Sequence, residues 1–180
     1  MDALLNVAGV MDHFASADGM TDGDLDRCIG VNLVAPILLM RAVVPIMLSQ
    51  PNGGSIVNVA SSAGFSGAWA GLAYTSSKHG LVGATRNVAW RFRQNNIRCN
   101  CICPGTTVTN IGQSMDKTQI DKEVYGDVMS LIGTVRRTGP GQGQGMQPDK
   151  LASAIVFLAS DAASGINGAV VPVDGGICAL

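Results

Sequence analysis

Short apolar runs that alternate with stretches of helical length constrain this chain more than any other feature. Each run is mostly apolar and is followed by small or polar residues that favour a turn. The runs occupy residues 4–7, 56–59, 98–103 and 169–173. Runs of this kind, with room for a helix between them, are typical of a parallel sheet covered by helices on both faces. The sequence therefore predicts a single α/β domain over residues 1–180.

Helix signals fill the intervals between these runs. Thr21 and Asp24 resemble a capping box, which predicts a helix that begins there and reaches about Ser49. The next helix is predicted over residues 74–94, and Pro148 suits the first position of a later helix.

The longest apolar stretch, residues 30–48, has the length of a membrane span. It contains Asn32 and Arg41, however, and polar groups of this kind are costly in lipid. We therefore expect a long helix that packs against the sheet and against another subunit.

Composition narrows the class of partner. Apolar residues make up 47% of the chain and charged residues 14%, which is typical of a buried core and not of a disordered chain. The net charge of −1 argues against nucleic-acid binding, and the 4% of aromatic residues leaves few rings to stack on bases. We expect a small-molecule partner, and neither nucleic acid nor membrane.

The cysteines suggest a reducing compartment. Their number, five, is odd, and the chain opens without a signal-peptide pattern, so we expect free thiols and a cytoplasmic location. Cys99, Cys101 and Cys103 alternate on a predicted strand, with no histidine nearby in the sequence. Because this pattern is more typical of small buried side chains than of a metal site, we predict no metal ligand.

Tyr74 and Lys78 carry the clearest chemical signal. They are four residues apart near the start of a predicted helix, so their side chains share a face. A tyrosine phenol has an unperturbed pKa near 10, and a neighbouring ammonium is one of the few groups that lower it. Ser61 follows a predicted strand and could bring a hydroxyl to the same pocket. Taken separately, the pair is typical of a half-exposed helix face, and the serine of a loop or cap.

Several motifs occur in an order that is more specific than any one of them. They are Leu-Leu-Asn-Val-Ala-Gly at 4–9, Val-Asn at 31–32, Ile-Val-Asn-Val-Ala-Ser-Ser at 56–62, Tyr-Thr-Ser-Ser-Lys at 74–78, Ile-Arg-Cys-Asn at 97–100, Cys-Pro-Gly at 103–105 and Val-Asp-Gly-Gly at 173–176. Together they resemble the short-chain dehydrogenase/reductase family over nearly the whole chain. The resemblance implies a partial doubly wound, Rossmann-like parallel sheet of about four strands. It also implies hydride transfer between NAD or NADP and a secondary alcohol or ketone.

The resemblance also assigns roles within the site. It implies that Tyr74 is the general acid and base, and that Lys78 lowers the pKa of Tyr74 and holds the nicotinamide ribose. Ser61 would orient the substrate oxygen, and Asn32 would hold a water that connects Lys78 to solvent. The implied cofactor contacts are Asn6, Ala8, Gly9, Tyr74, Lys78, Thr107 and Thr109. Local turn capping is the alternative for Asn6 and Thr109.

The sequence departs from the family pattern before Leu4. Family members begin with a strand, a glycine-rich turn, a helix and two further strands, and none of these precedes Leu4 here. That turn would bring backbone N–H groups to the pyrophosphate, and a residue after the second strand would choose between NAD and NADP. We therefore leave this choice open and expect the strand near Leu4 to be a sheet edge. We also expect weak dinucleotide binding, as in a truncated or mis-started form of a longer enzyme.

Residues 110–147 form an excursion that would bind the substrate. Its apolar residues are Met115, Ile120, Val124, Met129, Leu131 and Ile132. They form either an apolar substrate wall or helix faces packed on the body of the protein. The glycines of residues 139–145 could supply a hinge.

The alternative for the whole chain is a non-catalytic or non-redox member of the same fold, because fold alone does not fix function. Such a protein would act through homo-oligomerisation, as a dimer or tetramer, on the helices around residues 31–48 and 73–94.

Overall fold

The computed structural model describes residues 1–136 and 145–179. Its strands form one parallel sheet in the order β1 (Ala3–Asn6), β2 (Gly54–Val59), β3 (Ile97–Pro104) and β4 (Val170–Val173). The register places Ile56 beside Cys99. The predicted partial, Rossmann-like α/β sheet is therefore confirmed.

A long helical segment connects β1 to β2. It consists of α1 (Asp22–Ile29), a π-helical turn (Gly30–Val34) and α2 (Ala35–Leu48). Thr21 begins it as predicted, because its Oγ1 accepts the N–H of Asp24 at 3.2 Å. The later helices are α3 (Leu72–Arg91), α4 (Lys122–Arg136) and α5 (Pro148–Ala159).

Helices cover both faces of the sheet. On one face, Ile56 and Cys99 pack with Met40 and Met47 of α2. On the other face, a cluster that contains Val57 and Ile102 packs with α5. The three strand cysteines are completely buried, and all five cysteines are free thiols. No group of three or more metal-ligating side chains occurs within the described ranges.

The helix from Asp22 to Leu48 is long and apolar enough to cross a membrane by length and composition alone. Core helices of soluble proteins pass the same test, and Met40, Val43 and Met47 of this helix pack in the core. β1 is an edge strand of the described sheet, as expected, and Leu5 is 44% exposed there.

Candidate active site

Tyr74, Ser61 and Lys78 meet beyond the carboxyl end of β2. Tyr74 lies in the first turn of α3, and its phenol is close enough to the Ser61 side chain for the serine to lower the pKa of the phenol. The Nζ of Lys78 lies 5.5 Å from the centroid of the Tyr74 ring. Tyr74 and Lys78 are only 6% and 3% exposed. The structure thus brings together the three residues that carried the chemistry in the sequence.

Local bonds fix two of these side chains. The Oγ of Ser61 accepts the N–H of Ala63 at 3.1 Å, so Ser61 also caps a short turn. The Nζ of Lys78 donates to the carbonyl oxygen of Val59 at 3.0 Å, which holds α3 against the end of β2.

Burial controls the protonation of the pair. It raises the pKa of Tyr74 to about 12, against the lowering effect of the nearby Ser61 side chain. Burial likewise lowers the pKa of Lys78 to about 8. The family resemblance implied the opposite direction for Tyr74. Desolvation is the largest cause of the rise, and the interactions of the phenol with Asp12, Cys28 and Cys103 add to it.

Asn32 lies in the π-helical turn and is fully buried. Its Oδ1 accepts the N–H of Val10 at 2.9 Å, and its Nδ2 donates to the carbonyl of Val10 at 2.9 Å and to Ser77 Oγ at 3.1 Å. A Cβ on Gly9 would lie 3.3 Å from Asn32 Oδ1 and 3.4 Å from Lys78 Nζ. Glycine at position 9 therefore lets the turn after β1 approach both side chains.

Asn6 and the two threonines all make contacts close to the strand ends. The Nδ2 of Asn6 donates to Asn58 Oδ1 at 2.7 Å, whereas its own Oδ1 is buried without a partner in the described part of the chain. Thr107 Oγ1 donates to the carbonyl of Gly105 at 3.2 Å. Thr109 Oγ1 accepts the N–H of Ile111 at 3.3 Å, which is the local capping considered as its alternative. Ala8 lies with Gly9 in the turn after β1.

The excursion after β3 packs mainly on the body of the protein. Phe14, Val128 and Ile132 form a buried cluster. Met115, Ile120 and Val124 pack against this cluster. Met129 and Leu131 point outward and are 37% and 39% exposed. The suggested glycine hinge falls largely on residues 137–144, outside the described residues.

The sequence patterns missed two buried polar residues that directly follow the turn after β1. Asp12 and His13 are 2% and 8% exposed. Asp12 accepts the N–H of Tyr74, and His13 contacts Asp24 and Asp116. The sequence signal that could have revealed them is a pair of polar residues between apolar neighbours, directly after the turn that follows β1.

Known proteins are similar to this chain over nearly its whole length. A family profile described as enoyl-(acyl carrier protein) reductase matches residues 1–178. The short-chain dehydrogenase/reductase olcF of Penicillium canescens is 52% identical over 174 residues, which cover 97% of this chain and 67% of that protein. Asnovolin H dehydrogenase nvfC of Aspergillus novofumigatus is 51% identical over 175 residues, again 97% of this chain and 67% of that protein. The chain thus spans about two thirds of the length of these curated relatives.

Solved structures also match nearly the whole chain. A 4-hydroxyisoleucine dehydrogenase complexed with NADH and succinate matches with a TM-score of 0.81 and 32% identity, over 99% of this chain and 69% of that one. Levodione reductase matches with a TM-score of 0.82 and 31% identity, over 98% and 66%. An Agrobacterium tumefaciens protein with bound NADP matches with a TM-score of 0.80 and 30% identity, over 99% and 68%.

Proposed function

The chain belongs to the short-chain dehydrogenase/reductase family of NAD(P)-dependent oxidoreductases, and on that basis we propose that it interconverts a secondary alcohol and a ketone. One observation carries the proposal. The phenol of Tyr74 lies beside the Ser61 side chain, and the ammonium of Lys78 lies 5.5 Å from the ring of Tyr74. Such a group can exchange a proton with a substrate oxygen held beside Ser61.

Tyr74 is the proposed general acid and base. In ketone reduction, its phenolic proton passes to the carbonyl oxygen as the carbonyl carbon gains a hydride, and the product is a neutral alcohol. Because burial raises the pKa of Tyr74 to about 12, the phenol keeps its proton at neutral pH, as an acid must before it donates. In alcohol oxidation the same oxygen, in its deprotonated phenolate form, receives the proton of the hydroxyl group.

The residues of the site fit a nicotinamide cofactor. Lys78 and Tyr74 offer hydrogen-bond donors for ribose hydroxyls, and Gly9 leaves the approach to Lys78 free of a side chain. The Oδ1 of Asn6 is a buried acceptor without a partner in the described part of the chain, which suits a ligand that donates. A bound NADH or NADPH supplies the hydride. Ala8, Thr107 and Thr109 complete the proposed cofactor contacts. Asn32 positions the turn after β1, which contains Ala8 and Gly9, through its bonds to Val10.

As a second proposal, the protein forms homo-oligomers, and we place it in the cytoplasm. The outer side of α2 supports the proposed oligomer. Its exposed apolar side chains are Ile37, Leu38, Leu39, Ile46 and Leu48, each at least 40% exposed. An apolar row of this kind on one helix favours a subunit contact. A non-catalytic role of the same surface predicts stable oligomers without turnover.

The decisive experiment follows reduced-nicotinamide absorbance with NAD(H) and NADP(H) and a panel of ketones and secondary alcohols. The printed chain and any longer reading frame that contains it are assayed beside Tyr74→Phe and Ser61→Ala. We expect turnover that falls by roughly a hundredfold or more in Tyr74→Phe, since general acid–base catalysis contributes about 10²–10⁴-fold. Turnover that survives Tyr74→Phe rejects the assigned role. Stable oligomers with no turnover in either form favour the non-catalytic alternative.

A further inference from the structure

Asp12 is a buried carboxylate placed against the backbone of Tyr74. The residue is 2% exposed, and no cation in the described ranges forms an ion pair with it. Its Oδ1 accepts the N–H groups of Phe14 and Gly71, each at 3.1 Å, and its Oδ2 accepts the N–H of Tyr74 at 2.8 Å. Three backbone donors thus satisfy a charge that would otherwise be costly to bury.

These bonds cap α3 from a distant part of the chain. The residue at the N-cap of α3 is Gly71, which has no side chain to accept the free N–H groups of the first turn. Asp12 supplies that acceptor, and its negative charge also complements the N-terminal end of a 20-residue helix. A helix that begins on glycine here therefore depends on Asp12 for its cap.

The close approach of the segment from Asp12 to Ala15 explains why residue 71 is a glycine. A Cβ on Gly71 would lie 2.6 Å from Asp12 Oδ2 and 2.8 Å from the carbonyl oxygen of Ala15. That carbonyl accepts the N–H of Leu72 at 2.9 Å. The segment from Asp12 to Ala15 therefore holds the start of α3 by three hydrogen bonds, with glycine as the residue that allows the approach.

We propose that Asp12 is a positioning residue for Tyr74, which fixes the first turn of α3 so that the phenol stays beside Ser61. The proposal rests on the acid and base role of Tyr74 stated above. Asp12 touches the backbone of Tyr74 and not its hydroxyl, so its effect passes through the placement of the helix and through its charge.

The charge of Asp12 gives the proposal a measurable consequence, which is a change in the pKa of Tyr74. Burial is the main reason that the pKa of Tyr74 rises to about 12. The nearby Ser61 side chain opposes the rise, and the charge of Asp12 adds to it. The titratable groups that face the phenol are Asp12, Cys28, Cys103 and Lys78. Removing the Asp12 charge without removing its oxygen should therefore lower the pKa of Tyr74.

The test compares Asp12→Asn and Asp12→Ala with wild type. The chain has two tyrosines, so ¹³C labelling of the tyrosine ring carbon that bears the hydroxyl gives two NMR signals, and Tyr125→Phe assigns them. In Asp12→Asn, whose amide oxygen can still accept from Gly71 and Phe14, we expect Tyr74 to titrate at lower pH than in wild type.

In Asp12→Ala we expect kcat to fall roughly ten- to a hundredfold with a smaller change in KM, because the reacting group is misplaced. Asp12→Asn should retain part of that kcat.

Thr21→Ala is the matched control, because Thr21 caps α1 through a hydroxyl and lies outside the site. It should destabilise the protein without moving the titration of Tyr74. The proposal is rejected if Tyr74 titrates identically in Asp12→Asn and wild type, or if Asp12→Ala retains as much kcat as Thr21→Ala. The titration needs no cofactor, so a wild type without hydride transfer rejects the proposed function while the role of Asp12 is still decided.

Discussion

The Nδ1 of His13 lies 2.7 Å from Oδ2 of Asp24, in a buried pair that joins the segment after β1 to α1. The Nε2 of the same ring accepts the N–H of Asp116 at 3.0 Å. A backbone N–H can only donate, so Nε2 must be the acceptor and Nδ1 carries the proton toward Asp24. The carbonyl of His13 also accepts the N–H of Asp121 at 2.9 Å. One residue thus holds the start of the excursion after β3 against α1.

Replacing this ring should loosen that excursion. In His13→Ala the N–H of Asp116 loses its acceptor, and the buried carboxylate of Asp24 loses one of its partners. Loss of pairing at a buried polar group costs about 1–3 kcal/mol. We expect faster amide hydrogen exchange over residues 110–121, measured by mass spectrometry, with little change in β3.

His79→Ala is the matched control for that substitution. His79 is the other histidine of the chain, and its exposed ring is hydrogen bonded to the carbonyl of Thr75 in its own helix. Equal exchange over residues 110–121 in both variants would show that His13 does not anchor the excursion.

The turn before β2 gives a prediction about stability. Gly53 has a φ of +66°, and a Cβ there would lie 2.0 Å from the carbonyl oxygen of Asn96. Gly53→Ala therefore combines backbone strain with a clash that only movement of the main chain can relieve, and we expect a loss of at least about 2 kcal/mol in the free energy of unfolding. Urea denaturation measures it. Gly67→Ala, where a Cβ meets open space, should cost less than about 1 kcal/mol, and equal losses in the two variants would contradict the explanation.

The sheet could be predicted from the sequence because its signals are local. A strand that is buried on both faces is mostly apolar, as in β2 and β3, and the turn residues directly after it belong to the same short segment. The cap at Thr21 and the shared face of Tyr74 and Lys78 follow equally from fixed spacings within one helix.

The electrostatics of the site could not be predicted in this way. The helical spacing shows that Lys78 and Tyr74 are neighbours, but not that both are almost completely buried or that the ammonium donates to Val59. The bond between Asp12 and Tyr74 joins residues that are 62 positions apart, and the bond between His13 and Asp116 spans 103. No periodic pattern reports contacts at such separations, because they depend on how the segments after β1 and β3 pack together.

A buried polar chain in the core gives a further prediction. The Nδ2 of Asn58 donates to Thr85 Oγ1 at 2.9 Å, and both residues are fully buried. In Thr85→Val the shape of the side chain is kept but the acceptor is lost, so we expect a destabilisation of about 1–3 kcal/mol in chemical denaturation. Thr85→Ser keeps the hydroxyl and removes only a methyl group, for which about 1 kcal/mol is expected. A valine variant no less stable than the serine variant would show that Asn58 does not depend on this acceptor.

Lys78 makes a prediction about the pH dependence of stability. Burial lowers its pKa from the ordinary 10.5 to about 8. Below pH 8 both the folded and the unfolded chain hold the proton, and burial of the ammonium then destabilises the fold by about 3 kcal/mol. Between pH 8 and 10.5 the folded chain has released the proton while the unfolded chain still binds it, so this destabilisation shrinks as the pH rises. Above 10.5 it is gone.

The difference in unfolding free energy between Lys78→Met and wild type isolates this effect, because the buried thiols and Tyr74 titrate in both proteins. We expect the methionine variant to gain most below pH 8, and this gain to fall by about 2–3 kcal/mol between pH 7 and 10. Lys150→Met is the control, since the side chain of Lys150 is 71% exposed and its difference from wild type should be independent of pH. A constant difference for Lys78→Met would mean that the ammonium is as well solvated in the folded chain as in the unfolded one, which its hydrogen bond to Val59 and its 3% exposure contradict.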